Sequence, residues 1–254
     1  MRLTIKIGSN VLTRKDGSLD VTRMSALVDQ IACLRNEGHE VILVSSGAVA
    51  SGRSELKHIQ HDLDSVDQRQ LFSAVGQAKL INRYFELFRE YGIAVGQVLT
   101  TKENFSDTDH RKNQENCMRV MLENNVLPIV NENDTVSVTE LMFTDNDELS
   151  GLIAKMTQSQ MLIILSNIDG IFTGDPAEPT SRLIRTVEPG KALDEYIQDK
   201  KSSAGRGGMQ SKSNVATQTA SAGISVIIAN GKRDDILVKL MNDRGNTLCT
   251  EFLC

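Results

Sequence analysis

Residues 131–154 read Asn-Glu-Asn-Asp-Thr-Val-Ser-Val-Thr-Glu-Leu-Met-Phe-Thr-Asp-Asn-Asp-Glu-Leu-Ser-Gly-Leu-Ile-Ala, and they concentrate the amides and carboxylates of the chain. The stretch leaves an apolar run at 126–130 that predicts a buried strand. It returns through Asp145, Asn146 and Asp147 into Leu149, Leu152 and Ile153, spaced for one face of a helix. Polar side chains between a strand end and a helix start can hold a small polar molecule. In open α/β sheets, ligands sit outside the carboxyl ends of the strands. Asp145 and Asp147 read at first as metal ligands or a general base.

A second group lies at 205–212, Gly-Arg-Gly-Gly-Met-Gln-Ser-Lys, leading into a helical pattern. Glycines let the backbone approach a phosphate, and a helix N-terminus adds roughly half a positive charge. The segment is not a P-loop, because Ser211 stands where the glycine before Lys212 is needed. It is not a dinucleotide fingerprint either, because Gln210 takes the third glycine's place. Taken alone it reads almost as readily as a surface loop. Lys6, at the end of an alternating run, reads as an exposed strand residue or as a ligand of an anion. With the acid–amide cluster, two lysines at loop mouths fit phosphoryl transfer as one reading, since that chemistry asks mainly for positioning and charge neutralisation. No clustered His/Cys set supports a zinc hydrolase. No G-x-S-x-G supports a serine hydrolase, and His39, His58 and His61 fall in expected surface segments.

Short apolar strands alternating with helical patterns must position these groups. Residues 3–7 run into a glycine turn, and residues 41–44 form an uninterrupted apolar strand that ends in Ser45-Ser46-Gly47-Ala48. Helices are expected over 20–36, 68–91 and 107–123, with Gly76 as a close-packing point or a break. Residues 54–67 read as a surface loop and 136–143 as a hairpin. Residues 93–99, 161–165 and 224–229 are the remaining expected strands. The pattern predicts a three-layer α/β/α sandwich with a mainly parallel central sheet, as one domain over 1–254.

With 254 residues, 40% hydrophobic and 24% charged, the composition is that of an ordinary globular chain. No apolar run approaches the roughly 20 residues of a membrane span, and the N-terminus lacks a signal-peptide core, so a cytoplasmic location is expected. A net charge of −5 with mixed signs argues against nucleic acid as a partner. Cys33, Cys117, Cys249 and Cys254 show no metal spacing and read as reduced.

Six segments occur together in order: Lys6-Ile7-Gly8-Ser9, Val44-Ser45-Ser46-Gly47-Ala48, Ala74-Val75-Gly76-Gln77, Asn131-Glu132-Asn133-Asp134, Asp145-Asn146-Asp147 with Leu149-Ser150, and Gly207-Gly208-Met209 with Lys212. The set resembles the amino-acid kinase family, over essentially the whole chain. It is most similar to the branch acting on free L-glutamate at the first step of proline biosynthesis. The resemblance implies transfer of the γ-phosphoryl group of ATP, with Mg²⁺, to the γ-carboxylate of L-glutamate. Lys6 and Lys212 would stabilise the transferring group, and Asp147 would organise them. An acceptor already ionised near pH 7 needs no general base. Ser46, Asp134 and Asn146 would bind glutamate. Lys6, Ser166, Asn167, Arg206, Gly207, Gly208, Met209, Gln210, Ser211 and Lys212 would line the nucleotide site. No protein ligand to metal is expected, since Mg²⁺ rides on the phosphates.

The resemblance further implies proline as feedback inhibitor, a homo-oligomer (dimer or tetramer), and glutamate-5-semialdehyde dehydrogenase as a partner. Three departures stand out. Ser166-Asn167 replaces the usual Thr-Asp, Arg206 replaces a threonine, and the C-terminal PUA domain of many members is not expected in 254 residues. Sister kinases of acetylglutamate, carbamate, aspartate or UMP, and a non-catalytic nucleotide-binding protein on the same fold, are the alternatives.

Overall fold

A computed structural model describes residues 1–57, 63–137, 143, 145–191, 193 and 208–254. The chain opens with β1 (Arg2–Ile7), a short turn of helix α1 (Ser9–Leu12), α2 (Val21–Asn36) and β2 (Glu40–Ser45). Then come α3 (Ala48–Glu55), α4 (Ser65–Arg89), β3 (Val95–Thr100), α5 (Glu103–Ser106), α6 (Thr108–Glu123) and β4 (Leu127–Glu132). The second half supplies α7 (Asn146–Met156), β5 (Met161–Ser166), β6 (Thr186–Val187), α8 (Met209–Ala220), β7 (Ser225–Asn230), α9 (Ile236–Asn242) and β8 (Cys249–Phe252).

The strands form one sheet in the order β3-β4-β2-β1-β5-β7-β8-β6, and β1 through β5 and β7 pair in parallel. β8 runs antiparallel to β7. After β1 the chain winds to one side through β2, β4 and β3, and later crosses to β5 on the other side. The crevice at this reversal, above the carboxyl ends of β1, β2, β4 and β5, is where open sheets take ligands.

Both faces of the sheet are covered. Leu3, Ile5, Ile7, Val41, Leu43, Ile129, Ile163 and Ile227 pack with Leu27 and Ile31 of α2, Tyr84 and Phe88 of α4 and Leu237 of α9. The alternate residues Ile42, Val44 and Val130 pack with Met118 of α6 and Leu149 and Ile153 of α7. Leu162, Ile164, Val226 and Ile228 meet Ala216 and Ala220 of α8. Each fully buried aliphatic side chain contributes about 1.5–3 kcal/mol relative to exposure. On β1 the alternation sends Thr4 and Lys6 to the α7 face. That corrects one reading of Lys6: covered on both sides, β1 has no solvent face, and Lys6 is 4% exposed.

The helices start where aspartates cap them: Asp20, Asp64, Asp107 and Asp145 each accept a backbone N–H from the first turn that follows. The expected loop at 54–67 is shorter, because α3 continues to Glu55 and α4 begins at Ser65. The expected hairpin at 136–143 lies largely outside the described residues. Among the described residues, no helix is long and apolar enough to cross a membrane.

Gly76 is a packing point and not a break, since α4 runs through it. A methyl on Gly76 would fall inside the Ala48 carbonyl oxygen of α3, and one on Gly52 inside the Phe72 carbonyl of α4. Backbones in direct contact cannot yield as a flexible side chain does, so Gly76→Ala is expected to cost about 3 kcal/mol. For a chain of this size that is a fall in Tm of roughly 6–12 °C. Gly245→Ala, where an added methyl meets nothing within 4 Å, serves as the control. Equal melting temperatures for the two variants would refute the contact.

Candidate active site

A cavity of about 980 Å³ opens over the carboxyl ends of the strands, lined by Lys6, Ser46, Asp134, Asp147, Ser166 and Lys212 among others. Residues far apart in sequence meet in it for identifiable reasons. Lys6 is the next-to-last residue of β1, paired with Val44 and Ile164 of its neighbours. Gly8 turns the chain back, donating its N–H to Leu165 O at 3.1 Å. Asp145 caps α7 by accepting from the N–H groups of Asp147 and Glu148 at 2.8 and 3.1 Å, which brings Asp147 under Lys6. Ser211, in the first turn of α8, donates to the other Asp145 oxygen at 2.5 Å. That bond ties α8 to α7 next to Lys212.

The result is a buried ion triad. Lys6 Nζ lies 2.6 Å from Asp147 Oδ1, an ion pair off the hydrogen-bonding direction, and Lys212 Nζ donates to Oδ2 at 2.8 Å. Asp147 is fully buried and Lys212 is 9% exposed. Burial alone would raise the Asp147 carboxyl. The Lys6 and Lys212 charges outweigh it and hold the group below its ordinary value. With both oxygens committed to cations, Asp147 is set to fix two lysines and not to receive a proton.

Ser46, Asn146 and Asp134 are placed by the ends of β2 and β4 and the start of α7. Gly47 adopts φ +107°, a left-handed conformation that frees Ser46 at the start of α3. Asn146 Nδ2 donates to Ser46 Oγ and Asn131 Oδ1, both at 2.9 Å, while Asn146 Oδ1 is buried with no partner among the described residues. Asn131 is held in turn by donating to Gln77 Oε1 at 2.8 Å. Asp134, 8% exposed, accepts from Arg69 of α4, whose Nε lies 2.8 Å from Asp134 Oδ1. Ser46, Asn146 and Asp134 all line the cavity.

The residues expected to line a nucleotide site are brought together in part. Ser166, Asn167, Gly208, Met209 and Lys212 line the cavity. Arg206 and Gly207 lie outside the described residues. Gln210 and Ser211 do not line it: Ser211 is committed to Asp145, and Gln210 donates to Asn214 of its own helix at 3.2 Å. The sequence reading omitted two contributors. The loop after β5 adds Ile168, Phe172 and Pro176 to the lining, an apolar patch able to take a base. Arg69 carried no signal, because nothing in a lone arginine near a helix start announces a partner 65 residues away. Among the described residues, no three His, Cys, Asp or Glu side chains cluster as metal ligands.

The model of the amino acid kinase family matches residues 1–230. The chain belongs to that family. Within the amino acid kinase family it is 70% identical over 252 residues to a glutamate 5-kinase of Bacteroides thetaiotaomicron, covering 99% of this chain and 70% of that one. A glutamate 5-kinase of Symbiobacterium thermophilum is 42% identical, over 94% of this chain and 92% of its own length. Among solved structures, carbamate kinase from Giardia lamblia bound to AMP-PNP is similar with a TM-score of 0.70 at 16% identity, over 98% of both chains. Isopentenyl phosphate kinase from T. acidophilum gives 0.68 at 13% identity, over 99% of this chain and 100% of that one. At those identities the two structures show the shared fold, and the expected α/β/α architecture agrees with them.

The ion triad has a measurable stability signature. Asp147→Asn leaves two buried lysines without an anion and is expected to cost about 3–5 kcal/mol near neutrality. Because the folded-state value of Asp147 is depressed, its contribution is fully present above the unfolded carboxylate value of about 3.9. It is lost as pH falls through the lower folded value. Urea unfolding of wild type and Asp147→Asn should therefore show a gap that narrows as pH drops below about 4. A gap of constant size across that window would contradict the triad.

Proposed function

We propose that the chain transfers the γ-phosphoryl group of ATP to the γ-carboxylate of L-glutamate, giving γ-glutamyl phosphate and ADP. The observation that carries the reading is the pair of buried lysines held on Asp147 inside the cavity that also contains Ser46, Asp134 and Asn146. The 70% identity with a glutamate 5-kinase supports the choice of acceptor.

In the proposed step a γ-carboxylate oxygen forms a bond to the γ-phosphorus while the bond to the bridging oxygen of ADP breaks. No proton moves, because the acceptor is already an anion. Lys6 and Lys212 supply fixed positive charge where negative charge spreads over the transferring group, in a site that needs no reorganisation at the moment of reaction. Gly208 and Met209 bring the start of α8 to the cavity, which favours the nucleotide phosphates. Both Asp147 oxygens face lysines, and Asp145 is engaged by helix N–H groups and Ser211. Neither is free for an ion, so Mg²⁺ would ride on the phosphates, where it neutralises charge. Asp134 offers its carboxylate to the substrate ammonium. The acyl phosphate product is reactive towards water, which favours hand-off to glutamate-5-semialdehyde dehydrogenase.

A coupled assay of ADP release checks the reading. Turnover should require L-glutamate over N-acetylglutamate, carbamate, aspartate and UMP. Lys212→Ala should lower kcat by about 10²–10³-fold, the usual cost of removing one transition-state donor. The same assay reads proline inhibition, expected as a raised KM for glutamate. Turnover equal to wild type in Lys212→Ala, or a preference for another acceptor, would reject the proposed reaction.

A further inference from the structure

Arg69 is a half-buried guanidinium that the phosphoryl chemistry does not use. It projects from the first turns of α4 into the acceptor end of the cavity, with its side chain 14% exposed. Its Nε and Nη2 both reach Oδ1 of Asp134, and Nη2 also donates to Glu132 Oε2 at 2.8 Å. Glu132 is itself fixed, because Oε1 accepts from Ser137 Oγ at 2.9 Å and from Phe143 N at 3.0 Å. Glu132 is 2% exposed and Asp134 is 8% exposed. Two buried carboxylates two residues apart are thus bridged by one cation anchored on a different element.

The geometry points to Arg69 as the residue that positions Asp134 for the substrate's ammonium group, and so as a determinant of amino-acid specificity in the acceptor site. This rests on the proposed glutamate reaction. Two donors of one rigid guanidinium converge on Oδ1 and locate that oxygen, while the same fork reaches Glu132, a double reach that a point charge on a flexible stem does not reproduce. The same guanidinium offsets the repulsion between the Glu132 and Asp134 carboxylates. With Asp134 held at one side of the cavity and Lys6 and Lys212 on Asp147 in the same cavity, an acceptor would place its ammonium at Asp134 and its distal carboxylate at the lysines. Arg69 acts through Asp134 and has no part in bond formation.

The test compares L-glutamate with glutarate, which has both carboxylates and no ammonium. Calorimetry gives the affinity of each for wild type, Arg69→Gln and Arg69→Lys, with melting temperature as a check on folding. If Arg69 presents Asp134 to the ammonium, Arg69→Gln weakens glutamate binding at least tenfold and leaves glutarate binding within about twofold, so the preference collapses. Arg69→Lys keeps the charge without the fork and loses at least threefold of the preference. In ADP release, the KM for glutamate rises in both variants while the KM for ATP stays within about twofold. An unchanged glutamate-to-glutarate preference in a folded variant of either kind overturns the inference, and so does equal weakening of both ligands. Should Arg69→Gln not fold, Arg69→Lys decides. A wild type that binds glutamate over glutarate yet releases no ADP would count against the proposed reaction and leave the binding ratio to judge Arg69.

Discussion

Asp147 stays charged in a fully buried position because two lysines, drawn from opposite ends of the chain, meet its two oxygens. Without Asp147 the two lysines would be buried charges with no counter-ion, costing several kcal/mol. That requirement constrains the fold around it. β1 must end where α7 begins, α8 must dock beside α7, and Ser211 and Asp145 must hold the two helices in register. The order of strands, with β1 between β2 and β5, meets these conditions and leaves the crevice above β1 open.

The same constraint separates two kinds of polar residue in the site. Asp145, Asn131 and Arg69 spend their hydrogen bonds on other protein groups and act as supports. Lys6, Lys212, Ser46 and Asn146 line the same cavity beside them, the lysines held by Asp147 and Ser46 by Asn146. A carboxylate at Asp134 and two ammonium groups on Asp147 suit a substrate with an ammonium at one end and a carboxylate at the other. Such preorganisation costs nothing at the moment of reaction, which is where fixed charges contribute most to rate.

Much of this was legible in the sequence, for reasons that differ by residue. The strands at 41–44 and 161–165 were plain, because parallel strands covered on both faces read as unbroken apolar runs. Asp145 and its neighbours stood out because carboxylates crowd a helix start, where they cap it. Lys6 was ambiguous, since alternation on β1 is consistent with a solvent face until the sheet order shows that α7 covers it. The pairing of Lys6 with Lys212 came from the ordered motifs of the family, not from spacing. Arg69 was invisible, because its partners lie across the chain. β8 was missed for a related reason: four residues at 249–252 carry too little pattern, and their strand exists through pairing with β7. Local rules expose local structure, whereas charge pairs between distant segments are set by the sheet topology.

The claim that Asp147 works through the lysines and not as a base is tested most directly by a double-mutant cycle on single-turnover phosphoryl transfer to glutamate. The four proteins are wild type, Lys212→Ala, Asp147→Asn and the double variant. The account predicts strong non-additivity, because an aspartate whose task is to hold lysines has less to lose once Lys212 is gone. Asp147→Asn should cost markedly less in the Lys212→Ala background than in wild type. Losses that simply multiply would give Asp147 a role of its own in the chemistry and contradict the account.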